Sequence, residues 1–507
     1  MFFITTKRLI TTFYNMLLML VILSPTCIQT RDEKNYVPTA TVKTETTPIS
    51  YKQLCGCDFC SEIQATGSVQ TYKIISLDHS YKKKDEKVHK KLKRTLIIYM
   101  AADNDLRIFA ARNIQQMAAI GSNENISILV HLDIRISGNK KITRRYLVEK
   151  DKILHIDPYD IFTQQMDSGN PATLISCCEW AIKNYPAQEY DLILWNHGTG
   201  TLEPPHGKII NPMDLFVFNP ATHLLELDRS VEFIEAISRN NNNQRGICWD
   251  DTTGNYLTNK KLDFALQTIR QKYLNGKKFG IIGFDACLMS MIEVSCFIKK
   301  HAVVMTGSQE VELGMGWKYD EVLAPFLQGT LDTFAFAQHI VQSYEKTYQP
   351  ITYDFTLSAI NLEYTDQLEN NVNDISLLLI EALNNQKSTY SRIIGESRNR
   401  HLCTHFDEPS YIDLHHFFSN LLININKIDT SSTQQQKSLK NTLLAKLAEG
   451  ISLIEKAVIA NTTGRNLSAA RGLSIYFPEK NIHSSYKEAF FLESNNWGSF
   501  LTRYLFG

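Results

Sequence analysis

Short apolar segments alternate with longer amphipathic ones along the chain from Thr95 onward. The short segments have the length of strands buried on both faces of a sheet, and most end on polar or small residues. This alternation predicts an α/β fold with a mostly parallel sheet covered by helices on both faces. The predicted strands are TLIIYMAAD (95–103), ISILVHLD (126–133), YDLILWNHG (190–198), KFGIIGFDAC (278–287) and AVVMTGSQE (302–310).

Helical periodicity fills the gaps between these predicted strands. Asp228 and Asn259 stand where helix N-caps belong. The segment 199–227 has four prolines and no clear periodicity, which is typical of a functional or disordered loop. The predicted helices are 105–120, 173–184, 228–239, 259–273 and 288–299.

Beyond about residue 331 the pattern becomes mainly helical, with strand-like segments at 355–362 and 473–478. We predict a helix-rich C-terminal domain, 332–507, packed on an α/β domain, 94–331.

The N-terminus has the pattern of a signal peptide, residues 1–27. Lys7 and Arg8 precede a short apolar core, MLLMLVIL, that is too short to span a bilayer. No later segment is apolar over about 18 residues, so we expect an exported chain without a membrane span. Cys27 faintly resembles a lipoprotein cleavage site, but Pro25 and Thr26 fit poorly, which leaves a lipid anchor at Cys27 open.

Residues 28–93 have the composition of a leader or pro-segment, rich in Thr and then in charge. Three cysteines in CGCDFC (Cys55, Cys57 and Cys60) do not complete a four-ligand zinc site. In an exported protein a disulfide among them is the favoured interpretation.

The balanced net charge of the chain argues against a nucleic-acid partner. Lys+Arg and Asp+Glu balance at 53 each in 507 residues, so no global field favours nucleic acid or an anionic membrane.

Two chemically reactive residues stand at the ends of predicted buried strands. His197 follows YDLILWN, and Cys287 follows IIGFDA where a helix is predicted from Leu288. A helix N-terminus would stabilise a thiolate and offer N–H groups to an oxyanion. The plainer alternatives are a histidine that caps a strand and a buried cysteine that acts as a small apolar residue. Together the pair suits acyl transfer.

Five blocks resemble the clostripain family of cysteine peptidases, which share the caspase-like fold with gingipains, legumain and separase. The blocks are YMAADNDL, ILWNHGTG, FDACLMS, GSQEVELGMGWKYDEVL and ARGLSIYFP. The resemblance extends from about Thr95 to the C-terminus. It implies a caspase-like three-layer sandwich, with residues 94–331 as the catalytic domain.

The resemblance also implies a role for each matching position. Cys287 would be the nucleophile, and His197 would protonate the leaving amine. The N–H groups of Gly198 and Cys287 would form the oxyanion hole. Asp285 would line the pocket for an Arg or Lys before the scissile bond, which is physically sensible for a carboxylate in a partly desolvated pocket.

Ser308 and Glu310 stand at the next strand end, where we expect them to border the substrate site, with Glu310 adding negative charge. Asp250 and Asp251 in ICWDDTTGNYL more plausibly order a turn. The remaining cysteines, Cys177, Cys178, Cys248, Cys296 and Cys403, lie in apolar contexts and are expected in the core.

No cofactor is required by this chemistry, and we expect no metal site. Calcium affects some relatives of the family, and the acidic residues here could bind it, but no EF-hand-like loop is present.

Activation by self-cleavage is expected of an exported peptidase that prefers basic residues. Relatives are cut between their His and Cys blocks, which favours Lys208 first, and then Arg229, Arg239 or Arg245. A second candidate position is the end of the charged leader, at Lys93 and Arg94. The expected form is a monomer or a self-cleaved two-chain enzyme.

Two other classes of function compete with this interpretation. One is a catalytically silent binding protein on the same fold. The other is a Cys-dependent amidohydrolase or transpeptidase that uses the same residues on another acyl donor.

Overall fold

The computed structural model describes residues 77–78, 92–137, 140–156, 165–203, 215–230, 246–428 and 433–507, all within the unit Ser76–Gly507. The signal peptide with Cys27 and the three leader cysteines lie outside the described residues. The same holds for the processing candidates Lys208, Arg239 and Arg245 and for nearly all of the predicted helix 228–239. These assignments stay predictions.

Sixteen strands occur among the described residues. They are β1 (Leu77–Asp78), β2 (Leu92–Ala102), β3 (Ile126–Ser137), β4 (Lys140–Glu149), β5 (Lys152–His155), β6 (Ala187–Trp195), β7 (Phe216–Asn219), β8 (Leu224–Leu227), β9 (Ile247–Asp250), β10 (Asn255–Leu257), β11 (Phe279–Asp285), β12 (Ala302–Gly307), β13 (Thr356–Asn361), β14 (Tyr411–Asp413), β15 (Val458–Thr463) and β16 (Ser474–Tyr476).

Ten of these strands form one sheet in the order β1-β5-β4-β3-β2-β6-β11-β12-β13-β15. The five central strands, β3 to β12 in that order, are parallel, and β4, β13 and β15 run antiparallel to their neighbours. All seven residues of β11 are buried, as expected for a strand covered on both faces. The predicted mostly parallel sheet is confirmed.

Twelve α-helices occur in the part of the chain that the structure describes. They are α1 (Arg107–Ile120), α2 (Pro171–Asn184), α3 (Asn259–Lys272), α4 (Ile292–Ile298), α5 (Tyr319–Leu323), α6 (Thr333–Tyr348), α7 (Thr365–Asn385), α8 (Lys387–Ser397), α9 (Leu414–Asn426), α10 (Gln434–Ala457), α11 (Phe491–Ser494) and α12 (Trp497–Phe506).

The helices cover both faces of the sheet. α3 contacts both α2 and α4, and α5 contacts both α1 and α6. Crossovers between parallel strands are right-handed, and β2 to β3 runs in the opposite direction from β6 to β11. The connecting helices α1 and α3 therefore lie on opposite faces.

The C-terminal segment continues the central sheet. β13 pairs with β12, and β15 pairs with β13, so the predicted boundary at residue 331 does not coincide with a break in the sheet. α9 and α10 pack on each other beside α7. The late segment 473–478 forms β16, which pairs with β14 in a separate two-stranded sheet.

Local signals placed some boundaries incorrectly. The N-cap of α3 is Thr258, whose hydroxyl accepts the N–H of Lys261, and Asn259 is the first helical residue. The aperiodic loop contains the antiparallel hairpin β7–β8.

The sequence predicted Arg94 at the end of the leader, and this prediction is wrong. It lies inside β2, is only 2% exposed and forms ion pairs with Asp191 and Glu189. Cleavage after Arg94 would cut a central strand, so this residue is not a processing site in the folded chain.

A search of the described helices finds none that is long and apolar enough to cross a membrane.

Candidate active site

The candidate site lies at the carboxyl edge of the central strands, where the direction of strand addition reverses. The chain proceeds from β2 to β3 on one side, and from β6 through β11 to β12 on the other. The crevice at such a reversal is where open α/β sheets bind ligands. The residues that follow β2, β6 and β11 therefore converge.

The sheet register brings His197 and Cys287 to the same level. Asp285 on β11 pairs with Trp195 on β6, and the two predicted catalytic residues each lie two positions farther along. The backbone of Gly198 lies close to the loop that holds Cys287: a Cβ at Gly198 would be only 2.5 Å from the carbonyl oxygen of Cys287. Glycine at 198 allows this close approach.

The His197 ring is held from two sides. Its Nε2 is 2.7 Å from Oδ1 of Asp105, just after β2. Its face stacks on Trp249 of β9, with ring centroids 4.7 Å apart and the planes at 29°. Neither neighbour was predicted from the sequence to belong to the site. The available signal for Asp105 was its position after a buried strand, the same position that singled out His197 and Cys287.

Two asparagine side chains link the segments around His197. Asn196 donates to the carbonyl of Ala101 and accepts the N–H of Trp249, at 2.6 and 2.9 Å. Asn104 donates to the carbonyls of Ala101 and Trp249, at 2.9 and 3.2 Å. An amide offers both donors and an acceptor, so three blocks that are distant in sequence become one scaffold.

Cys287 lies beneath the segment that follows β12. The N–H of Glu312 donates to Sγ of Cys287 at 3.3 Å, and Sγ is 3.9 Å from the carbonyl oxygen of the same residue. Cys287 is 5% exposed, and burial raises the pKa of its thiol well above the ordinary value. This conformation therefore favours the neutral thiol.

The helix after Cys287 begins later than the sequence predicted. Leu288 has a φ of 62°, and its N–H donates to the carbonyl of Glu310. The N–H of Ser290 donates to the carbonyl of Ser308. These bonds hold residues 288–290 out of a helix, and α4 begins only at Ile292. The predicted stabilisation of the thiolate by a helix dipole is therefore wrong.

Asp285 is buried beside the two predicted catalytic residues. Its carboxylate accepts the N–H of Trp317 at 3.1 Å and the hydroxyl of Tyr319 at 2.8 Å. Burial raises the pKa of Asp285 to about 7, although both of these bonds oppose the rise. The side chain is thus positioned by the segment between β12 and α5.

Ser308 and Glu310 are buried outside the cavity. The Ser308 hydroxyl donates to the carbonyl of Glu310 at 2.8 Å. The Glu310 carboxylate accepts the N–H of Val311 and of Asp407 and pairs with Arg229 at 3.0 Å. These contacts give both residues a role in holding the segment after β12.

Glu312 is the second acidic residue in the cavity. It is 5% exposed, and burial, with the neighbouring charge of Asp285, raises the pKa of its carboxyl well above the ordinary value. The sequence could not choose between Glu310 and Glu312, because the direction of each side chain depends on how the chain turns after β12.

The cavity between these residues is small. Its volume is about 20 Å³, room for about one water molecule. A basic side chain requires the covering residues to move. The lining includes His197, Asp285, Cys287, Glu312, Leu215, Leu313, Gly314 and Gly316.

The acidic residues near Trp249 are neutralised by basic side chains. Lys141 lies 3.1 Å from Asp133 and also pairs with Asp250, while Arg135 pairs with Asp103 and Asp251. Asp250 also accepts the N–H of Thr253 in the turn before β10, which agrees with the predicted turn-ordering role. Within the described residues, no group of three or more His, Cys, Asp or Glu is arranged to hold a metal ion.

The five cysteines predicted to lie in the core are buried and unbridged, which confirms that placement: Cys177, Cys178, Cys248, Cys296 and Cys403.

Comparison with known sequences finds the same blocks. A family model described as the clostripain family matches residues 98–208 and 235–503. Clostripain of Hathewaya histolytica is 23% identical over 452 residues, which are 79% of this chain and 76% of that protein.

Solved structures share the fold. A secreted C11 cysteine protease from Bacteroides thetaiotaomicron, in complex with an irreversible peptide inhibitor, is 19% identical with a TM-score of 0.53, covering 81% of this chain and 99% of its own. An inactive zymogen C11 protease from Parabacteroides distasonis is 19% identical with a TM-score of 0.52, covering 80% and 99%. The predicted caspase-like fold is confirmed.

Proposed function

This chain belongs to the clostripain family of cysteine-type peptidases, and we propose that it is an exported endopeptidase that cleaves after Arg or Lys. The observation that carries the specificity is Asp285, a carboxylate buried in the same cavity as His197 and Cys287. A carboxylate in a desolvated pocket binds a cationic side chain by charge-assisted hydrogen bonds. Glu312, in the same cavity, adds a second acidic group.

The proposed reaction is acyl transfer through a thioester. Cys287 Sγ attacks the carbonyl carbon of the residue bound near Asp285, and the N–H groups of Gly198 and Cys287 hold the oxyanion. The C–N bond breaks as His197 protonates the departing amine, and this proton replaces the one that the Cys287 thiol gives up when Sγ attacks. Water then cleaves the thioester and regenerates the thiol. The proposed steps need no metal or cofactor. Any effect of calcium on activity would then come from a change in the structure of the protein and not from a part in the reaction.

Self-cleavage in the segment between Gly198 and Gly246 is proposed to open the site. Leu215, in the same segment, lines the small cavity, so we expect a cut at Lys208 to free the chain on the N-terminal side of Leu215. Arg229 is a weaker candidate, because its guanidinium pairs with Glu310 and Asp354. Arg239 and Arg245 remain candidates.

We propose that the chain is exported, because its N-terminus has the pattern of a signal peptide. We also propose that the mature enzyme is a monomer or a self-cleaved two-chain form.

Specificity is tested with peptide amides that differ only in Arg, Lys or Leu before the scissile bond. We expect Asp285→Asn to lower kcat/KM for the basic substrates by about 30-fold or more, since an unpaired desolvated charge costs roughly 2–5 kcal/mol. Unchanged cleavage after Arg would contradict the pocket assignment. Turnover only with an amine acceptor or a nonpeptide amide would favour the transferase or amidohydrolase alternative.

Glu293→Gln is the matched control. Glu293 is also buried, accepts a backbone N–H from Tyr476 and a hydroxyl from Tyr486, and has a pKa raised to about 7 by burial. It lies outside the cavity, so its variant should keep the preference for basic residues.

Processing is tested by N-terminal sequencing of the wild type and of Cys287→Ala. We expect a cut between residues 198 and 246 only in the wild type. A fully active wild type that remains uncut would contradict self-processing.

A further inference from the structure

We propose that Asp105 is a positioning residue that holds the His197 imidazole for proton transfer to the leaving amine. The inference rests on the proposed function and extends it, because the reaction then uses a Cys–His–Asp arrangement in place of a pair. It is carried by the 2.7 Å contact between Nε2 of His197 and Oδ1 of Asp105.

The contact fixes which ring nitrogen takes part in chemistry. A carboxylate accepts a hydrogen bond, so the proton of the neutral ring lies on Nε2, and the proton passed to the leaving group is carried at Nδ1. The side chains of His197 and Asp105 are only 6% and 17% exposed. Partial burial strengthens the hydrogen bond relative to water.

Asp105 is held by the turn between β2 and α1. The N–H of Leu106 donates to Oδ1 of Asn104 at 3.0 Å, and Asn104 is itself bound to Ala101 and Trp249. Trp249 covers one face of the imidazole. The carboxylate therefore acts on a ring whose tilt is already restricted, which is the requirement for orienting a proton donor.

Other charged groups surround the pair. Arg107, on the same turn, interacts with the charge of Asp105, and Asp103 lies two residues before it. Across the cavity are Asp285, Cys287 and Glu312. All of these remain in place in the variants below, so a changed ratio of amide to ester hydrolysis reports on the Asp105 carboxylate alone.

The chain contains a matched pair outside the cavity. His301 Nε2 is also 2.7 Å from a carboxylate oxygen, Oδ1 of Asp263, with side-chain exposures of 1% and 16%. Asp263→Asn therefore removes the same charge from the same geometry without touching the proposed reaction.

The experiment compares kcat/KM, which reports the steps through acylation, for an Arg peptide amide and an Arg p-nitrophenyl ester. An amine needs a proton to depart and a nitrophenolate does not. We expect Asp105→Asn to lower the amide value about 100-fold and the ester value by less than about 5-fold.

Asp105→Ser provides a second variant with the same expected split, and thermal unfolding of all three variants checks the fold. Equal losses on amide and ester, or the same behaviour in Asp263→Asn, would overturn the inference while wild-type cleavage after Arg upholds the proposed function. A folded wild type that hydrolyses neither substrate would overturn both.

Discussion

The two halves of the site are built differently. The histidine half consists of short loops after parallel strands, joined by Asn104 and Asn196 and closed by the stacking of His197 on Trp249. The thiol half depends on the segment after β12, in which Glu312 lies over Cys287. One half is complete without substrate, whereas the other must open to admit it.

The anchors of the thiol half show where opening can be controlled. Glu310, two residues before Glu312, is held by Arg229 from the segment between the two catalytic residues. Leu215 of that same segment lines the cavity. In the proposed reaction the fold therefore already orders the histidine half, whereas the proposed self-cleavage would act on the segment that contributes Leu215 and Arg229 to the thiol half.

Removal of the thiol should have the largest effect. We expect Cys287→Ala to lower peptide hydrolysis by several orders of magnitude, as for other covalent catalysts, with little change in the thermal unfolding midpoint. The control is Cys296→Ala, a buried cysteine on α4. Activity that survives the first change and disappears with the second would identify a different nucleophile.

A substitution in the segment between β12 and α5 should have an intermediate effect on activity. Gly316 has a φ of 62°, and a Cβ there would be 2.7 Å from Oδ1 of Asp285. We expect Gly316→Ala to displace that carboxylate and lower kcat/KM for an Arg substrate roughly 10- to 100-fold.

The control for this change is Gly276→Ala, since Gly276 has a φ of 79° and a Cβ there would meet no atom within 4 Å. Both variants should lose about 1–2 kcal/mol of unfolding free energy from left-handed strain. Equal kcat/KM in the two variants would contradict the placement of Asp285 as the substrate contact.

The dependence of stability on pH tests the burial of Asp285 without an activity measurement. Burial raises the pKa of Asp285 to about 7, whereas the unfolded chain has an Asp pKa of about 4. Between these values the folded state binds the proton more tightly, so stability falls as pH rises. We expect wild type to lose unfolding free energy relative to Asp285→Asn from about pH 4 to 7, measured by urea denaturation. A difference that stays constant over this range would show that Asp285 does not titrate as a buried group.

The central strands and the positions of His197 and Cys287 could be predicted from the sequence, because buried parallel strands are continuous apolar runs and their carboxyl ends share one edge. The contact between His197 and Asp105 joins residues 92 apart, and no periodicity encodes it. The start of α4 was missed because hydrogen bonds to the segment after β12 hold Leu288 and Ser290 out of a helix. Side-chain choices such as Glu312 over Glu310 depend on tertiary contacts in the same way.

Covalent labelling tests the assignments of the nucleophile and of the pocket together. The processed enzyme is treated with an irreversible peptide inhibitor that carries Arg at its reactive end, with and without a competing Arg peptide, and the modified residue is located by peptide mass mapping. We predict one adduct, on Cys287, which the competing peptide suppresses and which Asp285→Asn slows. Complete inactivation with the label on any other cysteine, or on none, would contradict the account.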